Sequence, residues 1–489
     1  MRSRSPLWSD RLPEMRRHRI AERLQSVLPP PRSGSRGSKT PLRPPGRVTP
    51  SPEAVAEELR GEPGFAWLDG GAEDHRLFVR PRATLSVRNR RATVSGPGGR
   101  IEFGAGGFDL LEAALAAWED GGAGAVLVGF FGYELAGELE KLPAPPPDDL
   151  GLPDLHLALY DSALRWDGRA WTLEGTDAWT DGGNPVVEAE RRLAAASRRL
   201  AAEPTAGRLG TGPVVSLPHR GGFEAAVSRV VERIGTGEIF QMNLCRRLEA
   251  ALSPEEIWPL YRRLRAASPA DHGAFLDLGR DRAVLSISPE LFLAVRDGVV
   301  ETRPIKGTRP RGGTPREDRA LARELLESEK DRAELTMIVD VARNDLGRVS
   351  EIGSVEVVRH AELLTLPTVH HTVSTVRGRL RAGTGPAGLL RASFPPASIT
   401  GAPKIRAMAV IAEEEERRRG PAMGAVGWIS LAGDLELSVA IRTAVAARGR
   451  VAYHAGCGIV ADSDPELEFA ESAAKARAFL TALSAEETG

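Results

Sequence analysis

The sequence predicts an α+β fold whose β-structure is largely antiparallel. Short apolar runs of strand length alternate with amphipathic helical segments along the 489 residues. Two of these runs, at residues 291–296 and 299–303, are separated by Asp297-Gly298, a dipeptide that favours a tight hairpin between antiparallel strands. Neither GxGxxG nor GxxxxGK[ST] occurs between a strand and a helix, which argues against a doubly wound nucleotide-binding fold.

Charge and composition exclude several classes of protein. Residues 1–50 carry a net charge of +9, and the rest of the chain carries −10. An acidic body without a basic stripe argues against nucleic-acid binding, which depends on clustered Lys and Arg. No apolar run is long enough to span a membrane. The two cysteines lack zinc or disulfide spacing. These features predict a cytoplasmic globular protein.

Composition also divides the chain into three parts. Residues 1–50 are rich in Arg, Pro, Ser and Gly and are predicted to be a disordered basic tail. Residues 51–209 mix strand and helix patterns and are predicted to form an N-terminal domain. A cluster of Gly, Pro and Thr at 203–214 is predicted to be a linker. Residues 215–485 form the predicted second domain, which carries the chemistry-bearing motifs.

Two predicted helices of this second domain present carboxylates at helical spacing. They carry Asp331 and Glu334 in the first helix, and Glu468, Glu471 and the basic Lys475 in the second. Such helices could meet across a cleft and hold a hard divalent ion such as Mg²⁺. The spacing alone, however, favours the simpler interpretation of solvated helix faces with a surface pair between Glu471 and Lys475.

Glu290 and Lys306 are candidate reactive groups. Glu290 follows the apolar strand AVLSIS, where burial could raise its pKa and suit it to general-acid catalysis, although turn carboxylates are common there. Lys306 precedes Gly307 and Thr308. If it were buried and neutral, its amine could act as a nucleophile, whereas an ordinary loop lysine is solvated.

Three further segments could contact an anionic ligand. Thr400 and Gly401 precede a helix, whose free N–H groups favour an anion, although a plain capping turn has the same pattern. Gly456 and Gly458 would let the backbone approach a ligand closely, or would form ordinary β-bulges. Arg442 offers a planar fork for a carboxylate.

The sequences of these motifs and their order along the chain closely resemble those of the chorismate-binding enzymes. This family contains the anthranilate, aminodeoxychorismate, isochorismate and salicylate synthases. The resemblance covers residues 223–480. It rests on GEIFQMNL, ISPELF, PIKGTRPRG, KDRAELTMIVDVARNDLG, SFPPASITGAPK, AIRTA and GIVADSDPELE, which appear in the family order. GFFGYELAGELE, at residues 129–140, also resembles the N-terminal part of the anthranilate and aminodeoxychorismate branches. The resemblance implies a two-domain α+β fold in which stacked, largely antiparallel β-sheets are flanked by helices, with chorismate in a cleft.

The resemblance also implies roles for individual residues. Glu334 and Glu471 would bind Mg²⁺, with Glu468 and Asp331 close by, and the metal would hold the ring carboxylate of the substrate. Glu290 and His371 would face the reacting ring, with Glu290 as the acid for the departing hydroxyl. The residues implied to line the cleft are Gln241, Gly307, Thr308, Thr400, Gly401, Arg442, Tyr453, Gly456, Gly458 and Lys475.

Two positions indicate the branch. Gln241 stands where isochorismate and salicylate synthases carry a lysine base, so ammonia is the expected nucleophile instead of water. Lys306 resembles the lysine of aminodeoxychorismate synthases, where anthranilate synthases have a small residue. The resemblance therefore favours amination of chorismate to 4-amino-4-deoxychorismate, for 4-aminobenzoate and folate. The alternatives are an anthranilate synthase large subunit and an inactive paralogue that only binds an amidotransferase.

Partners and regulation follow from the same resemblance. Ammonia is expected from a separate glutamine amidotransferase subunit or from solution, because neither cysteine lies in a nucleophile motif. A downstream aminodeoxychorismate lyase would complete 4-aminobenzoate. Residues 66–71 and 268–275 differ from the segments that bind inhibitory tryptophan in anthranilate synthases, so tryptophan inhibition is not expected. Ala422 stands where the family commonly has a cleft tyrosine.

Overall fold

Two large β-sheets organise the protein. The computed structural model describes residues 19–28, 39–42, 49–71, 74–118, 124–175, 184–199, 209–367 and 369–488. Within these ranges one sheet has 13 strands and the other has 12, and nearly all neighbouring strands are antiparallel. Phe78 and Val284 of the first sheet share a buried cluster with Val128 and Val426 of the second, so the sheets stack. The predicted α+β class is confirmed.

The strands of the first sheet are, in spatial order, β1 (Lys39–Pro41), β10 (Trp171–Gly175), β9 (Ser162–Trp166), β3 (Asp74–Phe78), β2 (Ala66–Gly70), β13 (His272–Asp277), β14 (Ala283–Ser288), β23 (Thr443–Ala447), β24 (Arg450–Ile459), β12 (Gln241–Ala251), β11 (Val214–Leu217) and β25 (Glu487–Thr488), with β20 (Gly401–Ala402) beside β12. Those of the second are β17 (Ile305–Pro310), β19 (Val369–Arg379), β16 (Val299–Arg303), β15 (Leu291–Arg296), β22 (Leu435–Val439), β21 (Ala425–Ser430), β7 (Val126–Phe131), β8 (Leu155–Tyr160), β4 (Ala83–Arg88), β5 (Arg91–Gly96) and β6 (Gly99–Gly104), with β18 (Glu356–Thr365) on the other side of β19.

Helices cover the outer faces. They are α1 (19–25), α2 (Pro52–Leu59), α3 (Gly107–Ala117), α4 (Ala136–Leu139), α5 (Pro185–Arg199), α6 (Arg220–Gly235), α7 (Ile257–Ala267), α8 (Pro315–Glu327), α9 (Glu329–Gly347), α10 (Pro386–Ser393), α11 (Lys404–Glu414) and α12 (Pro465–Leu483). Short 3₁₀ turns lie at Tyr133–Leu135, Pro254–Glu256 and Ala397–Ile399. Among the helices of the described ranges, none is long and apolar enough to cross a membrane.

Local sequence signals explain the two helices that carry the candidate carboxylates. Helix α9 begins where the Ser328 side chain accepts a hydrogen bond from the Asp331 amide. Leu335 and Ile338, whose spacing in the sequence predicts one apolar stripe of a helix, are buried. Helix α12 begins where Asp464 caps the amides of Glu466 and Leu467, with Pro465 in the first turn. The caps therefore define the residue at which each helix begins, and with it the direction in which the candidate carboxylates project.

The two predicted domains share both sheets. In the first sheet β2 pairs with β13, and in the second β7 pairs with β21, so each ladder joins residues before 209 to residues after 215. Residues 51–209 and 215–485 therefore do not each form a separate sheet. Residues 203–208 of the predicted linker lie outside the described residues.

Part of the predicted tail is folded. Residues 19–25 are helical, and Ile20, Leu24, Val27 and Leu28 are buried in the core, while β1 pairs with β10. These four apolar residues recur at helical spacing. The prediction of disorder rested on the Arg- and Pro-rich composition of the whole segment and did not take this spacing into account. For the described residues the expectation of a disordered tail is therefore wrong, and the other residues of 1–50 lie outside the described ranges.

Replacing Leu24 with alanine tests whether this helix contributes to stability. Leu24 is 0% exposed, so removing its side chain should lower the free energy of unfolding by about 2–5 kcal/mol. Denaturant titration followed by circular dichroism would measure the loss. Ile352→Ala is the control, because Ile352 is fully exposed and its removal should change little. Equal stability of Leu24→Ala and the wild type would show that α1 does not pack as described.

Candidate active site

Strands β12 and β24 and helix α9 meet at the carboxylate of Glu334. Strand β12 begins at Gln241, and its pairing with β24 sets Asn243 opposite Gly458. The Gln241 amide donates from Nε2 to Glu334 Oε1 at 2.5 Å. A side chain at position 458 would collide with both groups, so this contact requires glycine there.

Lys306 reaches the same carboxylate from β17. Its Nζ donates to Glu334 Oε1 at 2.6 Å, and the side chains of Lys306 and Glu334 are only 12% and 15% exposed. Lys306, Gln241 and Glu334, which we call the Glu334 cluster, therefore form one partly buried group. Lys306 is not the solvated loop lysine of the simpler interpretation.

Gln241 leaves one polar atom without a partner. The side chain is 1% exposed, and its Oε1 is buried without a hydrogen-bond donor. The orientation of the amide is assigned from the hydrogen bond that Nε2 makes to Glu334. An unpaired buried acceptor is costly, so this oxygen is suited to accept a hydrogen bond from a ligand.

Glu290 lies at the junction of β14 and β15 and is 3% exposed. Burial raises the pKa of its carboxyl to about 7, although the charges of Lys306 and Arg442 act in the opposite direction. A carboxyl with this pKa is partly protonated at neutral pH, as a general acid must be. Glu290 also lines a narrow cavity of about 20 Å³ that includes Ser398, which sequence analysis did not single out.

His371 and Arg442 form a second contact. The Nδ1 atom of His371 lies 3.0 Å from the Gly307 carbonyl and from Thr308 Oγ1, and its Nε2 lies 3.1 Å from Arg442 Nη2. Because a carbonyl only accepts, Nδ1 carries the proton and Nε2 accepts from Arg442. Burial, together with the charge of Arg442, lowers the pKa of His371 to about 4, so the ring is neutral. The described contacts of the Arg442 guanidinium, with His371 and Ser268, are thus with neutral groups.

Helix α12 supplies Glu471, Lys475 and Glu468. Lys475 Nζ lies 2.8 Å from Glu471 Oε1 and donates to the Gly456 carbonyl at 2.9 Å. The charge of Lys475 holds the pKa of Glu471 below its usual range. Glu468 is 4% exposed, and Ser463 donates to its Oε1 at 2.6 Å. Its other oxygen, Oε2, is buried without a partner.

Glu334, Glu471 and Glu468 are each engaged by a neighbouring side chain, so these predicted metal ligands do not form a preformed cation site. Among the residues that the structure describes, no three His, Cys, Asp or Glu side chains make a metal-binding group. Asp331 is paired with Arg309 at 3.2 Å. The oxygen donors nevertheless fit a hard cation, because Glu471 is half-exposed and Glu468 Oε2 is an unpaired buried acceptor.

Thr400 and Tyr453 do not offer their hydroxyls to the Glu334 cluster. Thr400 Oγ1 donates to the carbonyls of Ala397 and Pro396. Tyr453 donates to the Lys475 carbonyl at 3.3 Å, and its ring stacks on Phe479 with centroids 4.7 Å apart. Gly401 pairs with β12 where a side chain would strike the Gln241 carbonyl. These predicted cleft residues therefore support the backbone around the site.

Two expectations concern residues away from the Glu334 cluster. Ala422 is buried in a small apolar cluster with Leu150 and Leu152, so the missing tyrosine affects packing there. Residues 66–70 and 272–277 pair as β2 and β13 and border a cavity of about 500 Å³. Its lining includes four carboxylates and Arg76, and the absence of tryptophan inhibition stays a prediction. The acidic lining residues are Asp69, Asp74, Asp271 and Glu436.

Residues 62–481 match the family described as chorismate binding enzyme, and the chain belongs to this family. The family resemblance of the motifs is thus confirmed. The chain is 39% identical over 439 residues to aminodeoxychorismate synthase component 1 of Klebsiella aerogenes, covering 85% of this chain and 92% of that one. It is 41% identical over 373 residues to anthranilate synthase component 1 of Streptomyces coelicolor, covering 73% and 72%. These identities do not separate the two activities.

Other relatives agree with this assignment. The chain is 44% identical over 367 residues to aminodeoxychorismate synthase of Streptomyces griseus, but the aligned part covers 73% of this chain and only 50% of that protein. The fold resembles anthranilate synthase component I from Streptococcus pneumoniae, with a TM-score of 0.70, 31% identity, and 83% and 92% of the two chains covered.

The raised pKa of Glu290 predicts a pH dependence. If Glu290 acts while protonated, kcat/KM for chorismate should fall as the pH rises through about 7. The profile should be measured at a constant concentration of free NH₃, because ammonia itself titrates. Glu290→Gln should lower kcat/KM about 10²–10⁴-fold and abolish this alkaline limb. A variant that keeps the same limb would exclude Glu290 as its source.

Proposed function

We propose that the chain is the large subunit of an aminodeoxychorismate synthase, which uses ammonia to convert chorismate to 4-amino-4-deoxychorismate. The observation that carries this proposal is the Lys306 amine, which lies in the Glu334 cluster beside the neutral amide of Gln241. A partly buried amine next to a neutral hydrogen-bond acceptor suits covalent capture of the substrate followed by ammonia attack.

In the proposed reaction Lys306 is the nucleophile. An amine that attacks carbon has to be neutral, so its ion pair with Glu334 must first break and a proton must leave Nζ. The nitrogen then bonds to C2 of chorismate while the C4 hydroxyl departs as water, with Glu290 donating the proton. Ammonia next bonds to C4, the bond between C2 and Nζ breaks, and Lys306 regains a proton. The sum is chorismate plus ammonia giving 4-amino-4-deoxychorismate plus water.

Gln241 supports ammonia as the second nucleophile. Its unpaired Oε1 can accept a hydrogen bond from ammonia and orient the nitrogen lone pair toward the ring. Gln241 cannot take a proton from water, as a basic side chain at this position would. The proposed site therefore favours amination over hydration.

We propose Mg²⁺ as the cofactor, held by Glu334 and Glu471 with Glu468 and Asp331 close by. When bound, the ion would neutralise a carboxylate of the substrate. Glu334 would then be shared between the ion and the Lys306 amine, which lies 2.6 Å from its Oε1. The Arg442 guanidinium, whose described contacts are with neutral groups, is available for a second carboxylate.

The proposed setting is the cytoplasm. A separate glutamine amidotransferase subunit would deliver ammonia, and an aminodeoxychorismate lyase would convert the product to 4-aminobenzoate for folate. The second candidate is anthranilate synthase, which the 41% identity to the Streptomyces coelicolor protein favours. The two reactions differ in product, so one assay separates them.

Incubation of the purified chain with chorismate, Mg²⁺ and an ammonium salt tests the proposal. Chromatography with and without added aminodeoxychorismate lyase should give 4-aminobenzoate only when the lyase is present. Fluorescent anthranilate without the lyase would establish the second candidate. Unchanged chorismate in every reaction would support the inactive paralogue.

Replacing Lys306 with alanine tests covalent catalysis. Without the amine no bond to C2 can form, so aminodeoxychorismate formation should fall to background. Mass spectrometry of wild-type protein quenched during turnover should detect a chorismate-derived adduct that the variant lacks. Lys141→Ala is the control, because Lys141 is exposed in a loop. Full activity of Lys306→Ala would refute the covalent role.

Replacing Glu471 with glutamine tests the metal assignment. The amide keeps the shape but loses the negative charge, so half-maximal activity should require more Mg²⁺ and the maximal rate should fall. Titration of activity against Mg²⁺ measures both quantities. Glu362→Gln is the control, because Glu362 forms an exposed pair with Arg359 at 3.5 Å. An unchanged Mg²⁺ titration would remove Glu471 from the ligand set.

A further inference from the structure

Arg419 is a buried arginine that contacts several segments around the Glu334 cluster. It is 2% exposed and follows α11 in the run Arg417–Arg419, which in the sequence alone looks like a solvated basic segment. Its guanidinium donates from Nε and Nη2 to both oxygens of Glu415, at 2.8 and 2.6 Å. Glu415 in turn accepts a hydrogen bond from the Cys245 amide at 2.8 Å, which ties the pair to β12.

The remaining donors of Arg419 join the two backbone segments that frame Gln241. Nη1 donates to the Ile399 carbonyl and Nη2 donates to the Asn243 carbonyl, each at 2.8 Å. These carbonyls lie one residue before Thr400 and two residues after Gln241. The segments also contact each other directly, because the Asn243 amide donates to the Thr400 carbonyl at 2.7 Å.

The N-terminal half holds Arg419 from the other side. The Tyr133 ring lies under the guanidinium, with 4.4 Å between the ring centroid and Cζ. The Glu134 carboxylate accepts from the amides of Arg419 and Gly420 at 2.9 and 3.0 Å. These contacts give a structural role to residues 129–140, whose motif the proposed reaction does not use.

We propose that Arg419 is a positioning residue that holds the start of β12 and the Thr400 turn in register, and thereby aims Gln241 at Glu334. The proposal rests on the proposed function in one respect, the use of Gln241 in the reaction. The fork geometry of arginine is essential to it, because four donor contacts in one plane set the spacing of three acceptor groups. A buried ion pair often adds little net stability, so stability alone does not account for this arrangement.

Arg419→Lys keeps the charge but loses the fork, and Arg265→Lys is the matched control. Arg265 likewise pairs with a buried carboxylate, Asp69, and lies over the ring of Trp67 at 5.2 Å, but it contacts no residue of the Glu334 cluster. Arg419→Lys should lower kcat about 10- to 100-fold, as small misplacements of reacting groups do. The control should keep its kcat.

A double-mutant cycle with Gln241→Ala separates positioning from general stability. If Arg419 acts through Gln241, Arg419→Lys should lower kcat much less in the Gln241→Ala background, while its effect on the denaturation midpoint stays the same. Equal losses of kcat in both backgrounds, or wild-type kcat in Arg419→Lys, would overturn the proposal. If Arg419→Lys does not fold, Glu415→Gln takes its place in the cycle. Its loss of kcat should likewise be much smaller in the Gln241→Ala background, and equal losses in both backgrounds would overturn the proposal.

The positioning role of Arg419 and the proposed function are tested by different measurements. Rates are measured as chorismate consumed, and the identity of the product decides only between the candidate functions. If the wild-type chain consumes no chorismate, the proposed function fails, and calorimetric titration with chorismate replaces the rates. Unchanged chorismate affinity in Arg419→Lys would then overturn the positioning role, and a loss reduced by Gln241→Ala would support it.

Discussion

The antiparallel pairing of β12 with β24 determines where the reactive groups meet. Its register runs from Met242 opposite Ile459 to Ala251 opposite Arg450, and it brings Gly458 close to Gln241 and Glu334. Because side chains alternate between the two faces of a strand, a shift of one residue would turn Gln241 away from Glu334. Lys306 and Lys475 both contact groups that this pair of strands positions, namely the Glu334 carboxylate and the Gly456 carbonyl.

Charge balance explains how such a site can exist before the substrate arrives. Lys306 pairs with Glu334 and Lys475 pairs with Glu471, so the charges of these four side chains cancel. Partly buried charges need such compensation. In the proposed reaction a dicarboxylate substrate and a divalent cation enter together, and their charges also cancel. The site can thus exchange internal pairs for pairs with its ligands without gaining net charge.

The sequence predicted local features well, because they depend on neighbouring residues. The hairpin at Asp297-Gly298 forms with both residues at positive φ, and the stripe of Leu335 and Ile338 is buried. Features that depend on distant residues were not predictable. Lys306 meets Glu334 only because β17 packs beside α9, and one backbone acceptor of Arg419, the Ile399 carbonyl, lies 20 residues away in the chain. The shared sheets likewise depend on strands that pair across hundreds of residues. The Gly-, Pro- and Thr-rich segment that was predicted to separate two domains carries no information about these pairings.

The interleaved sheets also affect how the chain is made. Strand β2 finds its neighbour β13 only after about 200 more residues, which at 5–20 residues per second takes about 10–40 s on the ribosome. Strand β7 waits longer for β21. During this interval the nascent chain exposes unpaired strand edges, which are sites of aggregation. The same pairing that builds the site therefore leaves strand edges of the N-terminal half unpaired until the C-terminal half has been synthesised.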